Sequence, residues 1–435
     1  MDFYGREREI GQIGEWDRLA HKSAQMTVIA GRRRIGKTTL IRRALKEPSL
    51  YFFVVKKSEA LLCEEFLGLI KGGLGVDVPG EFRRFRDVFK YLLIQSEIRH
   101  FSLIIDEFQE FYGINSAVYS EMQNLWDTYK NTSKMHLVLC GSVYSLMKRI
   151  FEDAHEPLFQ RANHRIILKP LGVDIQKQIL LDHHPKSGNE DLLALYMVSG
   201  GVPRYIELLM EAKAYTKKRI LDVVLEENSF FLDEGRNVLI EEFGKDYATF
   251  FSILSLVASS KTSRPEIESV IGQSVGPQIE RLENEFRLIR RVIPIFAKPG
   301  TRQIRYAIED NFRKLWFRYI YKYRSAIEIG NYAYVREIIE RDYSTYAGLV
   351  LEKYFREKLM QSGEYSAIGT YWEKGNLNEV DLVAVNDDKK RMLVGEVKLN
   401  PKELRLSEME RKAAALSASR PKYKVETVGF SVKDM

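Results

Sequence analysis

The segment that most constrains the fold is residues 27–40, which read TVIAGRRRIGKTTL. The pattern G-x-x-x-x-G-K-T lies here between an apolar run that predicts a strand and a stretch that predicts a helix, the context that a phosphate-binding loop requires. Its glycines let the backbone curl so that N–H groups point at phosphate oxygens, and the helix start adds its positive end. An ordinary glycine-rich turn is the alternative, and both flanks count against it. The nucleotide contacts predicted in this loop are Gly31, Arg32, Arg33, Arg34, Ile35, Gly36, Lys37, Thr38 and Thr39.

A second motif completes the predicted ATP site. Residues 103–107 read LIIDE, an apolar strand that ends in two acids. In the loop, Lys37 would reach the terminal phosphates and the Thr38 hydroxyl would bind Mg²⁺. Asp106 would hold the same Mg²⁺, and Glu107 would orient or deprotonate the attacking water. The two motifs together therefore predict ATP hydrolysis rather than phosphate binding alone.

Strand and helix patterns alternate around these motifs. Such alternation predicts an α/β fold with a five-stranded parallel sheet that is covered on both faces, and ligands at the carboxyl ends of its strands. The predicted strands are 26–30, 50–55, 102–105, 137–140 and 165–168, and the predicted helices between them are 38–46, 59–71, 82–95 and 117–129.

Composition sets broader limits. The 435 residues suffice for two to four domains, and the net charge of +7 suits nucleic acid as a partner without establishing one. The two cysteines, Cys63 and Cys140, are not part of a C-x-x-C motif or a Cys/His cluster, which argues against a structural zinc site. The N-terminus lacks an apolar signal core, and the longest apolar run, 250–258, is too short to cross a bilayer. We therefore expect a soluble, cytoplasmic protein without a membrane partner.

Six segments carry a family resemblance. FYGRE, GRRRIGKTTL, LIIDEFQEF, LCGS, PLFQRA and GGVPRY follow one another along the chain. Together they resemble the archaeal-type P-loop ATPases related to the AAA+ and STAND groups, and the strand inserted between the two motifs resembles the additional-strand class of these ATPases.

The resemblance implies further roles in the ATP site. Ser142 would sense the γ-phosphate, although a simple turn serine is nearly as compatible with the sequence. Arg161 would be an arginine finger that acts in cis or across subunits, but Gln160 stands where the family has glycine. Pro203 would belong to a helical lid that closes over nucleotide, with an ordinary Gly-Pro helix start as the alternative.

The middle of the chain resembles a winged helix-turn-helix. Short helices are predicted from Ser263 and over 276–286, followed by strands at 288–296 and 303–308. The second helix has three acids and one arginine, which is poor for contacting phosphates, whereas the wing is basic. DNA binding and a pure packing role both stay open. The wing cations are Arg290, Arg291, Lys298, Arg302 and Arg305. An aromatic stripe at 310–324 follows and predicts a helix that faces a core.

The last hundred residues contain a possible nuclease motif. A helix at 344–360 is followed by a hairpin with strands at 378–385 and 391–398, a helix at 402–417 and a strand at 423–430. Glu396 and Lys398 are two apart on one strand and share a face, and Asp381 begins the neighbouring strand. This order resembles the PD-(D/E)XK nuclease fold; a surface Glu-x-Lys pair is the alternative. The resemblance implies that Glu352, Asp381 and Glu396 bind Mg²⁺ and that Lys398 is the catalytic cation.

Four domains are predicted from these patterns: a P-loop ATPase core at 1–175, a helical lid at 176–240, a winged helix with the aromatic helix at 241–325, and an α/β restriction-endonuclease-like domain at 326–435.

The functional hypothesis that follows is an ATP-hydrolysing switch coupled to a Mg²⁺-dependent nuclease, with ATP and Mg²⁺ as cofactors and DNA as the favoured partner. The first alternative is a nucleotide-controlled DNA-binding or transcription regulator with an inactive tail. A third reading is an ATPase that acts on a protein partner. A homo-oligomer is compatible with all three.

Overall fold

The computed structural model describes residues 2–46, 48–142, 144–243, 247–373, 375 and 378–435. The chain divides into two compact units, Phe3–Lys169 and Pro170–Met435, the second together with Asp2. Each unit has its own sheet and core, and the two are described separately.

The first unit is an α/β layer structure. Its five strands form one sheet in the order β2-β3-β4-β1-β5, and every neighbouring pair is parallel. The elements are α1 (Glu7–Ala20), β1 (Gln25–Ala30), α2 (Lys37–Ala44), β2 (Ser49–Phe53), α3 (Glu59–Leu74), α4 (Phe85–Ile98), β3 (Phe101–Asp106), α5 (Phe111–Ile114), α6 (Ala117–Tyr129), β4 (Met135–Gly141), α7 (Tyr144–Glu152) and β5 (His164–Ile167).

Helices cover both faces of this sheet. Val28 packs into one hydrophobic cluster, whereas the next residue, Ile29, packs into another. Successive side chains of a strand point to opposite faces, so β1 must be apolar throughout, as its sequence QMTVIA nearly is. The predicted five-stranded parallel sheet is confirmed, and in it β4 lies between β1 and β3, the strands that carry the two ATP motifs at their ends. Cys63 and Cys140 are both buried and free.

The second unit begins with helices. Among the residues that the structure describes, they lead into a two-stranded antiparallel sheet, in which Ile289 pairs with Ile308. The elements are α8 (Val173–His183), α9 (Asn189–Ser199), α10 (Pro203–Glu211), α11 (Lys217–Val224), α12 (Phe230–Phe243), α13 (Tyr247–Ala258), α14 (Arg264–Ile271), α15 (Gly276–Asn284), β6 (Ile289–Val292) and β7 (Arg305–Ile308).

The rest of the second unit is a four-stranded sheet with long helices. The strand order is β11-β10-β9-β8, with β10 and β11 parallel and the other pairs antiparallel. The elements are α16 (Asn311–Leu315), a π-helical segment (Trp316–Tyr321), α17 (Arg324–Glu328), α18 (Tyr332–Ser362), β8 (Ala367–Tyr371), β9 (Val380–Asn386), β10 (Arg391–Lys398), α19 (Leu406–Ser419) and β11 (Lys424–Ser431).

The sequence patterns of this second unit differ from the structure at several points. The predicted strand at 288–296 ends at Val292, because Pro294 interrupts the run. The aromatic helix at 310–324 contains a π-helical segment, and the predicted helix at 344–360 is the second half of α18. The aromatic residues of the 310–324 stripe face a core, as predicted, because Phe312, Trp316 and Tyr319 are fully buried.

Across the residues that the structure describes, no helix combines the length and apolar character needed to span a lipid bilayer.

Candidate functional site

The loop between β1 and α2 has a backbone shaped for an anion. Gly36 directly precedes α2 with φ 87°, and Arg34 also has a positive φ, 69°. A Cβ atom on Gly31 would lie 3.0 Å from the Leu168 carbonyl oxygen, so a larger residue would be crowded there. The left-handed turn before a helix N-terminus gathers N–H groups at one point, the arrangement that phosphates require. Ile35 is buried and anchors the loop, whereas Thr39 is exposed on α2.

The lysine of the loop is folded back on it. Lys37 Nζ donates to the carbonyl oxygens of Gly31, at 2.9 Å, and Arg32, at 3.3 Å. Burial lowers the pKa of Lys37, and the charges of Glu107 and Asp106 counter that shift. The ammonium therefore lies within the loop that would hold the phosphates, where it can exchange carbonyl oxygens for phosphate oxygens. Arg32 and Arg33 are partly buried in the same loop and Arg34 is exposed.

Two oxygens suited to Mg²⁺ face each other beside the loop. The Thr38 hydroxyl lies 3.2 Å from Asp106 Oδ2, and Asp106 is 4% exposed. The Tyr51 hydroxyl of β2 donates a short hydrogen bond to the same carboxylate oxygen, and burial together with that bond raises the pKa of Tyr51. Tyr51 is a site residue that the sequence did not predict, since it lies inside a strand without a motif. The paired oxygens of Thr38 and Asp106 fit a Mg²⁺ ion, and the loop fits the phosphates of ATP.

Glu107 is held by two neighbours. Its Oε2 accepts hydrogen bonds from the Ser142 hydroxyl at 2.7 Å and from Gln109 Nε2 at 2.6 Å. Burial would raise the pKa of Glu107, but these hydrogen bonds and the charge of Lys37 outweigh it and lower that pKa. A carboxylate with a lowered pKa is ionised and can accept a hydrogen bond from water. The motif LIIDEFQEF contains Gln109, but only the fold shows that this amide turns back to Glu107.

Ser142 follows β4, next to β3 in the sheet, which explains its contact with Glu107. It is 3% exposed, and its backbone N–H also lies 3.3 Å from Glu107 Oε2. Ser142, at the end of β4, is therefore a polar neighbour of Glu107 at the end of β3.

The two remaining ATP-site predictions concern Arg161 in the first unit and Pro203 in the second. Arg161 donates to the Asp127 carboxylate at 3.1 Å and to the Phe159 carbonyl oxygen at 3.0 Å. Pro203 is the first residue of α10, in the second unit, where it starts the helix after Gly201 with φ 79°. Their roles as finger and lid stay predictions.

A second acidic cluster occupies the four-stranded sheet. Gly395 pairs with Leu382, so Glu396 on β10 comes next to Asp381 on β9. Asp381 Oδ2 accepts the Val397 N–H at 2.9 Å, and Lys398 Nζ lies 3.1 Å from Glu396 Oε1. Glu352 projects from α18 into the same region, where it is close enough to Asp381 for the charge of Asp381 to raise its pKa. All four predicted tail residues, from three elements, are thus brought together.

The carboxylates of this cluster are poorly compensated by protein groups. Burial, followed by the charge of Asp381, raises the pKa of Glu352 to about 7, and burial also raises the pKa of Asp381. Glu396 is 9% exposed, and among the residues that the structure describes its buried Oε2 has no hydrogen-bond partner. Burial would lower the pKa of Lys398, but its hydrogen bond to Glu396 and the charge of Asp381 raise it. Buried carboxylate oxygens without donors are ligands for a divalent cation.

A cavity of about 610 Å³ opens beside Glu352 and Asp381. Arg302, which is exposed, and Lys314 line it, and so do Arg305 and Trp372, with the Arg305 guanidinium 4.2 Å from the Trp372 ring centre. The cavity thus joins the β6–β7 hairpin to the acidic cluster within the second unit.

Three of the predicted wing cations have acidic partners. Arg290 lies 2.5 Å from Glu309, Arg291 lies 2.9 Å from Glu283, and Arg305 lies 2.6 Å from Glu379. These pairs reduce the positive field that the hairpin can present to phosphates.

Comparison with known proteins agrees with the geometry of the first site. Residues 3–209 match a family described as an ATPase domain predominantly from Archaea, and residues 316–413 match a family of archaeal and bacterial proteins of unknown function. An uncharacterised protein of Methanocaldococcus jannaschii is 29% identical over 407 residues, which span 91% of this chain and 87% of that protein.

Two solved structures share the fold. A Walker-type ATPase of Pyrococcus abyssi is 18% identical, with a TM-score of 0.55 over 73% of this chain and 96% of that one. The Aeropyrum pernix ORC2 protein, solved as ADPNP and ADP complexes, is 15% identical, with a TM-score of 0.50 over 73% and 93%. The parallel sheet, the loop geometry and these matches together support an archaeal P-loop ATPase, with residues 3–209 as its ATPase domain.

Proposed function

We propose that the chain is an ATP-driven switch coupled to a Mg²⁺-dependent nuclease that cuts DNA. The observation that carries the nuclease part is the convergence of Glu352, Asp381, Glu396 and Lys398 at one partly buried cluster. A surface Glu-x-Lys pair would be solvated, whereas Glu396 is buried and its Oε2 has no donor among the described residues.

The four-stranded sheet supports a PD-(D/E)XK-like assignment for the tail. The motif residues lie on an antiparallel pair, β9 and β10, and a parallel strand, β11, flanks the second of them. Glu352 comes from the helix that precedes the sheet, as this nuclease order requires.

The roles of the tail residues follow from their charge. Mg²⁺ bound by Asp381 and Glu396, with Glu352 nearby, would supply positive charge for a scissile phosphate. Lys398, 3.1 Å from Glu396, would stabilise negative charge that develops on the attacking water. Arg302 and Lys314 line the adjoining cavity and offer positive charge to the phosphates next to the scissile one on the same DNA strand.

The switch part rests on the first unit. Lys37 would bind the terminal phosphates of ATP, Thr38 and Asp106 would hold Mg²⁺, and Glu107 would take the proton from the attacking water. The hydrogen bond between Ser142 and Glu107 supports a sensing role for Ser142, because a γ-phosphate near Ser142 would compete for that hydroxyl. Arg161 as a finger, and Pro203 as part of a lid, belong to the same proposal.

The test is cleavage of single-stranded DNA, duplex DNA and RNA of one sequence, with and without Mg²⁺ and ATP. We expect Mg²⁺-dependent DNA cleavage whose rate changes with ATP, and a response to ATP that Lys37→Ala abolishes. Lys398→Ala and Glu396→Gln should each lower cleavage by about 10²-fold or more, because each removes a charge from the reacting centre.

Matched controls exist on the same strands. Arg391 of β10 pairs with Glu426 of β11 at 2.9 Å, and both side chains are exposed. Arg391→Ala and Glu426→Gln should cleave like wild type. If the wild type cuts neither DNA nor RNA, or if Lys398→Ala cuts as fast as Arg391→Ala, the nuclease proposal is wrong.

A second candidate function is nucleotide-controlled DNA binding through the α14–α15–β6–β7 module as a winged helix. Two helices followed by an antiparallel hairpin favour it, and Arg302 is exposed on the hairpin connection. The ion pairs of Arg290, Arg291 and Arg305 count against it. It predicts DNA binding that depends on nucleotide and is seen as a shift in DNA mobility. Asp381→Ala should retain this binding, and the wild type should not cleave DNA.

A further inference from the structure

A histidine cluster lies at the amino edge of the parallel sheet, opposite to the end that carries the phosphate loop. His136 of β4 pairs with Gln25, the first residue of β1. His100 directly precedes β3. The phosphate loop follows Ala30 at the other end of β1, about 17 Å away along the strand. Neither ATP motif nor tail cluster uses these residues.

The acid of this cluster is held in place by neighbours. Asp17 Oδ1 accepts the Ser102 hydroxyl at 2.7 Å and lies 3.2 Å from His136 Nδ1. The other nitrogen of His136 lies 2.9 Å from the Thr27 hydroxyl, which can donate to it. His136 is fully buried and can therefore be neutral, with its Nδ1 proton directed at Asp17.

His100 presents a lone pair to that same acid. Its Nδ1 lies 2.7 Å from the Lys134 carbonyl oxygen, which can only accept, so Nδ1 carries the proton. In the neutral ring Nε2 is then an acceptor, yet it lies 3.3 Å from Asp17 Oδ1, another acceptor. Only a cation between the two atoms, a proton or a metal ion, makes this contact favourable.

A third ligand distinguishes a metal ion from a proton. Asp17 and His21 are four residues apart at the end of α1, so they share a helix face. One ligand atom each from Asp17, His21 and His100 lie within 4.8 Å of one another. Two ligands of tetrahedral zinc lie about 3.3 Å apart, which matches the Asp17–His100 contact. His21 is exposed and its ring stacks on that of His100, with 3.8 Å between the ring centres, so its side chain would have to rotate out of this stack to place a nitrogen on the ion.

We propose that Asp17, His21 and His100 form a binding site for Zn²⁺ or a similar transition-metal cation, separate from the Mg²⁺ site of ATP. Imidazole and carboxylate ligands suit Zn²⁺ rather than Mg²⁺. The Lys134 carbonyl fixes the His100 ring, and Ser102 and His136 fix the Asp17 carboxylate, as the partners of metal ligands commonly do. The ion would join the end of α1 to the start of β3, with a fourth position left for water.

The experiment is Zn²⁺ titration by calorimetry of the chelator-treated full chain, with Mg²⁺ in excess to occupy oxygen sites. Co²⁺ titration gives a second readout, because tetrahedral Co²⁺ absorbs visible light. We expect His21→Ala to lose one equivalent of metal or to bind it at least tenfold more weakly, and Asp17→Asn to weaken binding as well. His21 is exposed at a helix end, so its replacement should leave the fold intact.

The control is His155→Ala, which removes an exposed histidine that lies 3.0 Å from Asp153. It should bind Zn²⁺ and Co²⁺ like wild type. The proposal fails if the wild type takes up no stoichiometric Zn²⁺, or if His21→Ala and His155→Ala bind it equally.

Discussion

At the scale of single residues, the backbone and two hydrogen-bond donors fix the orientation of the Glu107 side chain. Glu107 has φ 54°, an uncommon conformation for a non-glycine residue, which turns its side chain toward Ser142 and Gln109. The carboxylate is ionised there but already engaged by two donors. Both donors bind Oε2, so under the proposed function Oε1 is the oxygen that would receive a proton from water.

We predict that Glu107→Gln retains ATP binding and loses ATP hydrolysis. The amide keeps the size of the side chain but cannot take a proton, so kcat should fall by about 10²–10⁴-fold. Steady-state phosphate release and equilibrium binding of a fluorescent ATP analogue measure the two properties. Glu64→Gln, at an exposed position on α3, is the control and should hydrolyse ATP normally. Normal turnover by Glu107→Gln would assign the base to another residue.

Glu352 should give the metal-free protein a distinctive pH dependence. Its pKa rises from the ordinary 4.5 to about 7, so the folded chain binds this proton more tightly than the unfolded chain does. Its effect therefore lowers the free energy of unfolding as pH rises from 4.5 to about 7. In Glu352→Gln this loss is absent, and the variant should exceed wild type at pH 8 by on the order of 2 kcal/mol.

Urea unfolding of chelator-treated protein at pH 5 and pH 8 measures this difference. Glu340→Gln changes an exposed acid of the same helix and should follow wild type at both values. A Glu352→Gln effect that is equal at pH 5 and pH 8 would contradict the prediction.

At the scale of elements, the π-helical segment Trp316–Tyr321 is fitted to its neighbours. Trp316 donates its indole N–H to the Leu232 carbonyl oxygen at 2.8 Å, and its ring lies against Gly235 of α12. A Cβ atom at Gly235 would come within 2.3 Å of Trp316 Cδ2. Close approach of α12 and the indole ring therefore depends on the missing side chain.

We predict that Gly235→Ala destabilises the protein by about 1–3 kcal/mol, because the buried indole ring has little room to move. Chemical denaturation measures the loss. Gly348→Ala on α18 is the matched control: nothing lies within 4 Å of its Cβ position, and alanine favours a helix by up to about 1 kcal/mol. Equal stability of the two variants would show that the contact with Trp316 relaxes easily.

The elements also show which parts of the fold the sequence could predict. The strands of the parallel sheet were predictable because runs such as 103–105 are apolar on both faces and bounded by motifs. β8 was not predicted, since AIGTY is only partly buried and has no regular alternation. The π-helical segment depends on packing against α12 and α13, which a local pattern does not contain.

The site residues, too, could be predicted from the sequence only where a motif or the spacing along a strand identifies them. Lys37, Asp106 and Glu107 belong to motifs, and the motif residues Asp381, Glu396 and Lys398 were located from strand spacing. Tyr51, by contrast, reaches Asp106 through strand order, and His21 and His100 meet only because α1 returns to the start of β3. Contacts between distant segments need the topology.

At the scale of the whole molecule, the two candidate sites belong to different compact units, Phe3–Lys169 and Pro170–Met435. Under the proposed function, any effect of ATP on DNA affinity must be matched by an equal effect of DNA on ATP affinity, because coupling is reciprocal. The family match over residues 3–209 extends beyond the first unit into α8, α9 and α10. Helices α8, α9 and α10 of the second unit therefore fall within or at the end of the region that matches the ATPase family.

The folded-back Lys37 has a consequence for selectivity among anions. Its ammonium already has two carbonyl oxygens of its own loop as partners. Orthophosphate, which offers few contacts, gains little by replacing them, whereas a triphosphate that spans the loop replaces them and adds many more. Under the proposed function, any anion must therefore compensate for the loss of these two hydrogen bonds, and we expect the loop to bind a triphosphate in preference to orthophosphate.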